Sequence, residues 1–260
     1  MRGDIWTAPP PMGWPVSQTT EFGPINSLFA FNEGAGAPTE AVRGIHPVSY
    51  GSIGTWSSNQ GYSPAASSYF TYGPYVPAAA TASFTLWVYG RFILPPGKQN
   101  YLISTASNGS GVTLVITAAG LQLLYGNMGM YSPSSPIKPA ANTLSFCAIA
   151  ISAPSRSVTY YMYAPATGAE VVENGSSGTP LTDAGNVCLF NDELNTSYPV
   201  MGGQWFRQAG LSLKSWGLPQ LRSMARNPWQ IFQPRRSWWD FGRASSPSAS
   251  PSPSLLMQGF

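Results

Sequence analysis

Side chains able to move protons, attack a carbonyl or hold a metal are scarce in this chain. There is one histidine, His46, set beside Pro47 in a loop-like context. A Ser-His-Asp relay built on it would need a nucleophile elbow, and no such turn occurs. Glycoside hydrolysis would need two carboxylates facing one cleft. Asp192 and Glu193 are adjacent, so a strand would send them to opposite faces. Glu170 and Glu173 read as solvated residues flanking a turn. Asp183, Asp192 and Glu193 lack the alternating spacing that gathers oxygens around a hard cation. Cys147 and Cys188 lie in apolar contexts outside any CxxC pair, which reads as two buried free thiols rather than zinc or a disulfide. Gly34-Ala35-Gly36 lacks the lysine and following helix of a phosphate loop. The expectation is a protein that is not an enzyme, with no metal and no cofactor.

Binding chemistry is better supplied. The chain carries 9 Trp, 13 Tyr and 12 Phe. Tyr62, Tyr69, Tyr72, Tyr75 or Tyr131, placed on loops, could stack on sugar faces. The same rings could instead fill a core or a subunit interface, where aromatic residues are enriched. The core or interface reading is favoured for any single tyrosine, and no sugar site stands out. The residues expected to hold a partner lie near the two ends: Trp6 and Trp14 in one segment, and Arg235, Arg236, Trp238, Trp239 and Phe241 in the other. Tryptophans beside prolines gain apolar burial on docking at low entropic cost, because proline has already restricted the free chain. Arginines there would add hydrogen bonds to a partner's carbonyls or carboxylates.

Composition narrows the class. Charged residues make up 9% of the 260 residues, against roughly 25% in an average soluble domain. A surface so poor in charge suggests coverage by other protein. Hydrophobic residues at 43% allow a large core, while 27 Gly and 25 Pro oppose long helices and favour strands joined by turns. The net charge of +3 argues against nucleic acid as a partner, although seven of the thirteen basic residues lie from Arg207 onward, with Asp240 the one acid there. MRGDIWTAPPPMGW has no apolar stretch of signal-peptide kind, and no apolar run has the length of a membrane span. Synthesis in a cytoplasm, with no membrane partner, is expected.

The elements that must position these residues are mostly strands. Residues 1–26 read as an extended arm, since five prolines between Pro9 and Pro24 remove amide donors. Phe84, Leu86 and Val88 alternate with Thr85, Trp87 and Tyr89, which predicts a strand over 84–92 with both faces apolar, buried between layers or against a partner. Further strands are predicted near 28–31, 101–104, 112–117, 121–125, 144–151 and 158–164, with 187–190 and 201–206 weaker. Residues 50–77 read as short strands and loops, and 165–183 as turn-rich. Pro219, an apolar face of Leu218, Leu221 and Met224 or Ala225, and a stop at Asn227-Pro228 predict one helix. The chain divides into a 1–26 arm, a 27–233 all-β body, and a 234–260 arm that is basic and aromatic, then rich in Ser and Pro.

The order of these pieces resembles the laminin-G-like, concanavalin A-like sandwich domains of tailed bacteriophages. Phe29-Ala30-Phe31-Asn32-Glu33-Gly34-Ala35-Gly36 is similar to their opening strand and glycine turn. Ser83-Phe84-Thr85-Leu86-Trp87-Val88, Leu144–Ala150 and Val158–Tyr163 are similar to their core strands. Gly210–Leu213 through Met224–Trp229, with the ending Asn227-Pro228-Trp229-Gln230-Ile231-Phe232, resembles their closing strand, short helix and C-terminus. The resemblance implies an antiparallel jelly-roll sandwich in a virion structural protein, tail- or fibre-associated or a head decoration. It would assemble with other virion proteins through its arms, as a homotrimer or another closed ring. The alternative is an adhesin module that binds a host-surface glycan. The calcium ligands of such domains have no counterpart here, because Gln204-Trp205-Phe206-Arg207-Gln208 stands where an acidic strand is usual.

Overall fold

The computed structural model describes residues 16, 21–66, 68–73, 83–94, 99–105, 111–125, 129–153, 155–176, 186–190 and 202–232. Among the described residues, fifteen strands form two antiparallel sheets. In chain order they are β1 (Ile25–Phe29), β2 (Val48–Tyr50), β3 (Thr55–Ser57), β4 (Gly61–Ser63), β5 (Tyr69–Tyr72), β6 (Phe84–Arg91), β7 (Gln99–Ser104) and β8 (Val112–Thr117). They continue with β9 (Gly120–Tyr125), β10 (Gly129–Tyr131), β11 (Leu144–Ser152), β12 (Ser157–Ala164), β13 (Ala169–Ser176), β14 (Val187–Leu189) and β15 (Trp205–Ser212). Helix α1 (Leu218–Arg226) and a 3-10 turn, Pro228–Ile231, follow. The first sheet runs β13-β12-β11-β6-β15-β4-β3, with β1 also on β15; the second runs β10-β9-β8-β7-β14-β5-β2. The expected antiparallel β-sandwich with one short C-terminal helix is what the chain forms.

The alternation in β6 has a definite use on each face. Phe84, Leu86 and Val88 enter the inter-sheet core with Cys147 and Ile149 of β11, Leu114 and Ile116 of β8, and Phe206 and Leu211 of β15. Trp87 and Tyr89 point outward into a second core. That second layer belongs to the chain itself: α1 supplies Leu221, Met224 and Ala225, with Trp216, Trp229, Ile231 and Phe232 around them. Its polar groups are paired across the layer. Trp87 Nε1 donates to Gln208 Oε1 at 2.9 Å, and Gln208 Nε2 donates to the Pro228 carbonyl at 2.6 Å. Trp216 donates its Nε1–H to the Phe22 carbonyl at 2.8 Å and its amide to Thr85 Oγ1 at 2.9 Å. Gly210 is required beneath Trp87, because a Cβ there would stand 2.2 Å from the indole.

The helix forms where Pro219 can occupy the first turn without loss of a bond, and it stops at Asn227, which the following proline holds out of the helical region at φ −141°. Both cysteines are buried and free. Two other expectations are corrected. Residues 169–176, read as turn-rich, are the edge strand β13, paired along its length with β12. An edge strand needs no continuous apolar face, so its polar sequence hid it; among the described residues of that stretch the turn occupies 165–168. The segments read separately near 201–206 and 210–213 meet in one strand, β15, which starts only at Trp205 and has a bulge between Phe206 and Gln208.

The packed body also takes in Phe22 and Ile25, both buried, so it begins inside the segment read as an arm. Val16 forms an antiparallel bridge with Phe232, and the two flanks of the body meet there. Among the described residues no helix is long and apolar enough to cross a membrane.

Candidate functional site: a cleft at the end of the first sheet

The β15 bulge decides what the molecule offers to a ligand. Phe206 faces the inter-sheet core opposite Gly90, and Gln208 faces the outer layer opposite Tyr89. Arg207 is the extra residue between them. A bulge turns such a side chain away from the regular pleat. Its guanidinium reaches the β3–β4 turn and donates to the Asn59 carbonyl, while lying beside Tyr89. Around it opens a cleft of about 700 Å³. Its walls come from the turn at Asn32–Gly34, the β3–β4 hairpin with Trp56 and Asn59, Arg207, and Trp229 of the 3-10 turn.

Each wall is held by bonds that fix its shape. The Glu33 carboxylate accepts the amides of Asn32 at 3.0 Å and Thr39 at 2.8 Å, closing the glycine turn upon itself. Burial holds the Glu33 carboxyl above its ordinary pKa, partly offset by those amide bonds. Glu40, fully buried, accepts the amides of Leu28, Val42 and Arg43 at 2.8–3.0 Å and ties the loop to β1. The half-buried indole of Trp56 donates Nε1–H to the Gly36 carbonyl at 2.8 Å, which joins the hairpin to the glycine turn. Its ring leans on Tyr62, 4.7 Å between centroids. The Tyr62 hydroxyl accepts the Gly54 amide at 2.9 Å, and burial pushes its pKa up to about 12. Gly61, at φ +93°, lets β4 approach β15: a Cβ would stand 2.1 Å from the Phe206 carbonyl oxygen. Below lies an aromatic floor of Phe31, Tyr62, Phe190 and Phe206 with centroid spacings of 4.6–6.1 Å.

Chemically the cleft presents an immobilised indole, side-chain amides, hydroxyls and one guanidinium. Such a set suits stacking and hydrogen bonding. Among the described residues there is no group of three or more His, Cys, Asp and Glu placed to hold a metal.

The residues that sequence singled out fall elsewhere. Trp6, Trp14, Arg235, Arg236, Trp238, Trp239 and Phe241 lie outside the described residues, as do Tyr75, Asp183, Asp192 and Glu193. Tyr62 and Tyr72 are core residues with no exposure, and Tyr69 and Tyr131 are half-buried. His46 sits exposed near the start of β2. Glu170 and Glu173, read as flanking a turn, are on β13: Glu170 pairs with Arg222 at 2.7 Å, and Glu173 accepts from Ser134 Oγ at 2.9 Å. Sequence reasoning missed Trp56, Asn59 and Arg207. A tryptophan and a tyrosine flanking Ser57-Ser58-Asn59-Gln60-Gly61 was the available hairpin signal, while nothing local linked it to Arg207.

No protein-family model matches the chain, and no curated protein matches it by sequence. Solved structures do. Domain 4 of the extracellular arabinanase AbnA of Geobacillus stearothermophilus, in complex with arabinotriose, is 13% identical over 77% of this chain and 98% of its own, with a TM-score of 0.57. The binding domain of botulinum neurotoxin serotype G is 10% identical over 77% of this chain, at a TM-score of 0.54. Trypanosoma rangeli sialidase in complex with sialic acid is 11% identical over 80% of this chain, at 0.53. The chain spans half of the neurotoxin domain and a third of the sialidase. What all three share with this chain is its fold, an antiparallel β-sandwich.

Proposed function

We propose that the chain is a carbohydrate-recognition module and that the cleft beside Trp56 is its binding site. The observation that carries this is the indole of Trp56, locked by Gly36 and Tyr62 while still half-exposed among amides and hydroxyls. A sugar offers an apolar C–H face to a ring and hydroxyls to its surroundings, and a preformed site loses little entropy in receiving it. The arabinanase domain, solved with arabinotriose, is a fold-mate for which such a ligand is known. The module binds and does not cleave: Glu33 and Glu40, the carboxylates of the cleft's loop, are engaged by backbone amides. Titration of the purified protein against a panel of oligosaccharides tests this. Binding to at least one, reduced tenfold or more in Trp56→Ala, is expected; a panel with no binder refutes it.

A second reading has its own observation. The Val16–Phe232 bridge brings both flanks of the body to one place. We propose that residues on either side of it attach the module to a tailed-phage particle, in a tail, fibre or head-decoration position, as a homotrimer or another closed ring, with the glycan site turned to a host surface. The low charge content supports such coverage. A chain ending before Pro234 is expected to fold and to be absent from purified particles. Normal incorporation of that truncated chain would end the assembly reading and leave the carbohydrate reading standing.

A further inference from the structure

We infer that the cleft selects sugars carrying a carboxylate, with Arg207 as the residue that decides it. This rests on the carbohydrate reading above and names its ligand class. Among the described residues lining the cleft, Arg207 is the one with a formal charge. No described carboxylate pairs with it: the described ion pairs are Arg43 with Glu40 and Arg222 with Glu170. The acid nearest in the cleft's loop, Glu33, is turned onto the Asn32 and Thr39 amides. A guanidinium is the most hydrogen-bond-rich side chain, with five N–H donors in a planar fork. Here it donates to the Asn59 carbonyl and lies beside the Tyr89 hydroxyl, neither of which neutralises it.

Its position is also built. A regular strand at this point would alternate between the two cores, and both are apolar. The bulge interrupts that alternation by one residue, and the interrupting residue is the arginine. The Asn59 contact then holds the fork at the hairpin that also carries Trp56. A pyranose resting on the indole would bring a carboxyl substituent within reach of a flat partner of matching shape, the geometry in which arginine–carboxylate bonds are strongest. Neutral sugars would leave the guanidinium as a simple hydrogen-bond donor.

Two ligand sources share this chemistry, hexuronic acids and sialic acids, and the experiment separates them. Binding is measured by calorimetry for a glucuronate-containing oligosaccharide and for the same oligosaccharide with its carboxyls reduced to alcohols. Sialyllactose against lactose forms the second arm. In at least one arm the carboxylated form is expected to bind tenfold or more tightly, with the advantage shrinking as salt is raised. Arg207→Gln is expected to abolish the preference and Arg207→Lys to restore part of it. Equal binding of carboxylated and neutral forms by the native chain in both arms overturns the inference while the carbohydrate reading survives. Binding of neither form, with no other sugar bound, overturns both. The native-chain comparison needs no variant, so misfolding of Arg207→Gln cannot obscure the result.

Discussion

Two tryptophans on opposite faces of the first sheet show how one end of it can be sealed and the other left open. Trp87 lies under α1 with no exposure, its N–H on Gln208 and its ring against Gly210 and Trp216. Trp56 also has its N–H satisfied and its ring against another aromatic, yet it remains half-exposed. Both are fixed, so rigidity does not distinguish them. The difference is what covers them. Trp87 stands in the outer core beneath α1, whereas Trp56 stands on the inter-sheet face at the sheet's last hairpin, where it borders the core and, among the described residues, lines an open cleft. A held ring under a lid is core; a held ring without one is a site.

The contrast can be broken first at the sealed end. Trp87→Ala should destabilise by about 3–5 kcal/mol, a large part of a typical domain's stability, as read by urea denaturation. Should it cost under about 1 kcal/mol, the outer layer is not a second core. Gln208→Ala removes both the acceptor of the Trp87 indole and the donor to Pro228; stranding those groups should cost about 1–3 kcal/mol. At the open end, Tyr62 gives a pH signature. Its folded pKa of about 12 lies above the ordinary 10.0, so its contribution is intact below pH 10 and is lost as pH rises toward 12. Against Tyr62→Phe, which lacks the Gly54 bond at every pH, the stability difference should be constant below pH 10 and shrink through that window. Trp56→Ala should cost the fold only about 1 kcal/mol, because the ring is half-buried, while removing sugar binding. A loss of stability as large as that of Trp87→Ala would make Trp56 core and void the comparison. Arg222→Ala, which severs an exposed pair with Glu170, should change stability by less than about 1 kcal/mol.

Much of this layout could be read from the residues. Strand β6 announced itself through strict alternation, and its two apolar faces called for burial between layers or against a partner, of which the chain's own two cores supply the first. The α1 boundaries followed from Pro219 and Asn227-Pro228, because proline's constraints act on the chain locally. β13 was hidden, since an edge strand held by backbone pairing alone can have nearly any polar sequence. The bulge in β15 was hidden for a different reason: an extra residue exists only relative to a partner strand, and Gly90 and Tyr89 lie far away in sequence. The cleft was illegible on the same ground. Arg207 and Asn59 are separated by 148 positions, and no local pattern reports their meeting.

The Val16–Phe232 bridge has a mechanical consequence. The chain enters β1 at Ile25 and leaves β15 at Ser212, and those two residues are paired at the same end of the ladder. Tension delivered through positions 16 and 232 would thus load bonds one after another, as a zip is drawn, rather than all together in shear. The 3-10 turn bearing Trp229 lies on that route ahead of both sheets. A tethered copy under strain would yield first at the wall of its own cleft, with the fifteen strands still intact. Optical-trap extension through cysteines placed at those two positions would show a small early event before the main unfolding; a single high-force rupture would contradict it.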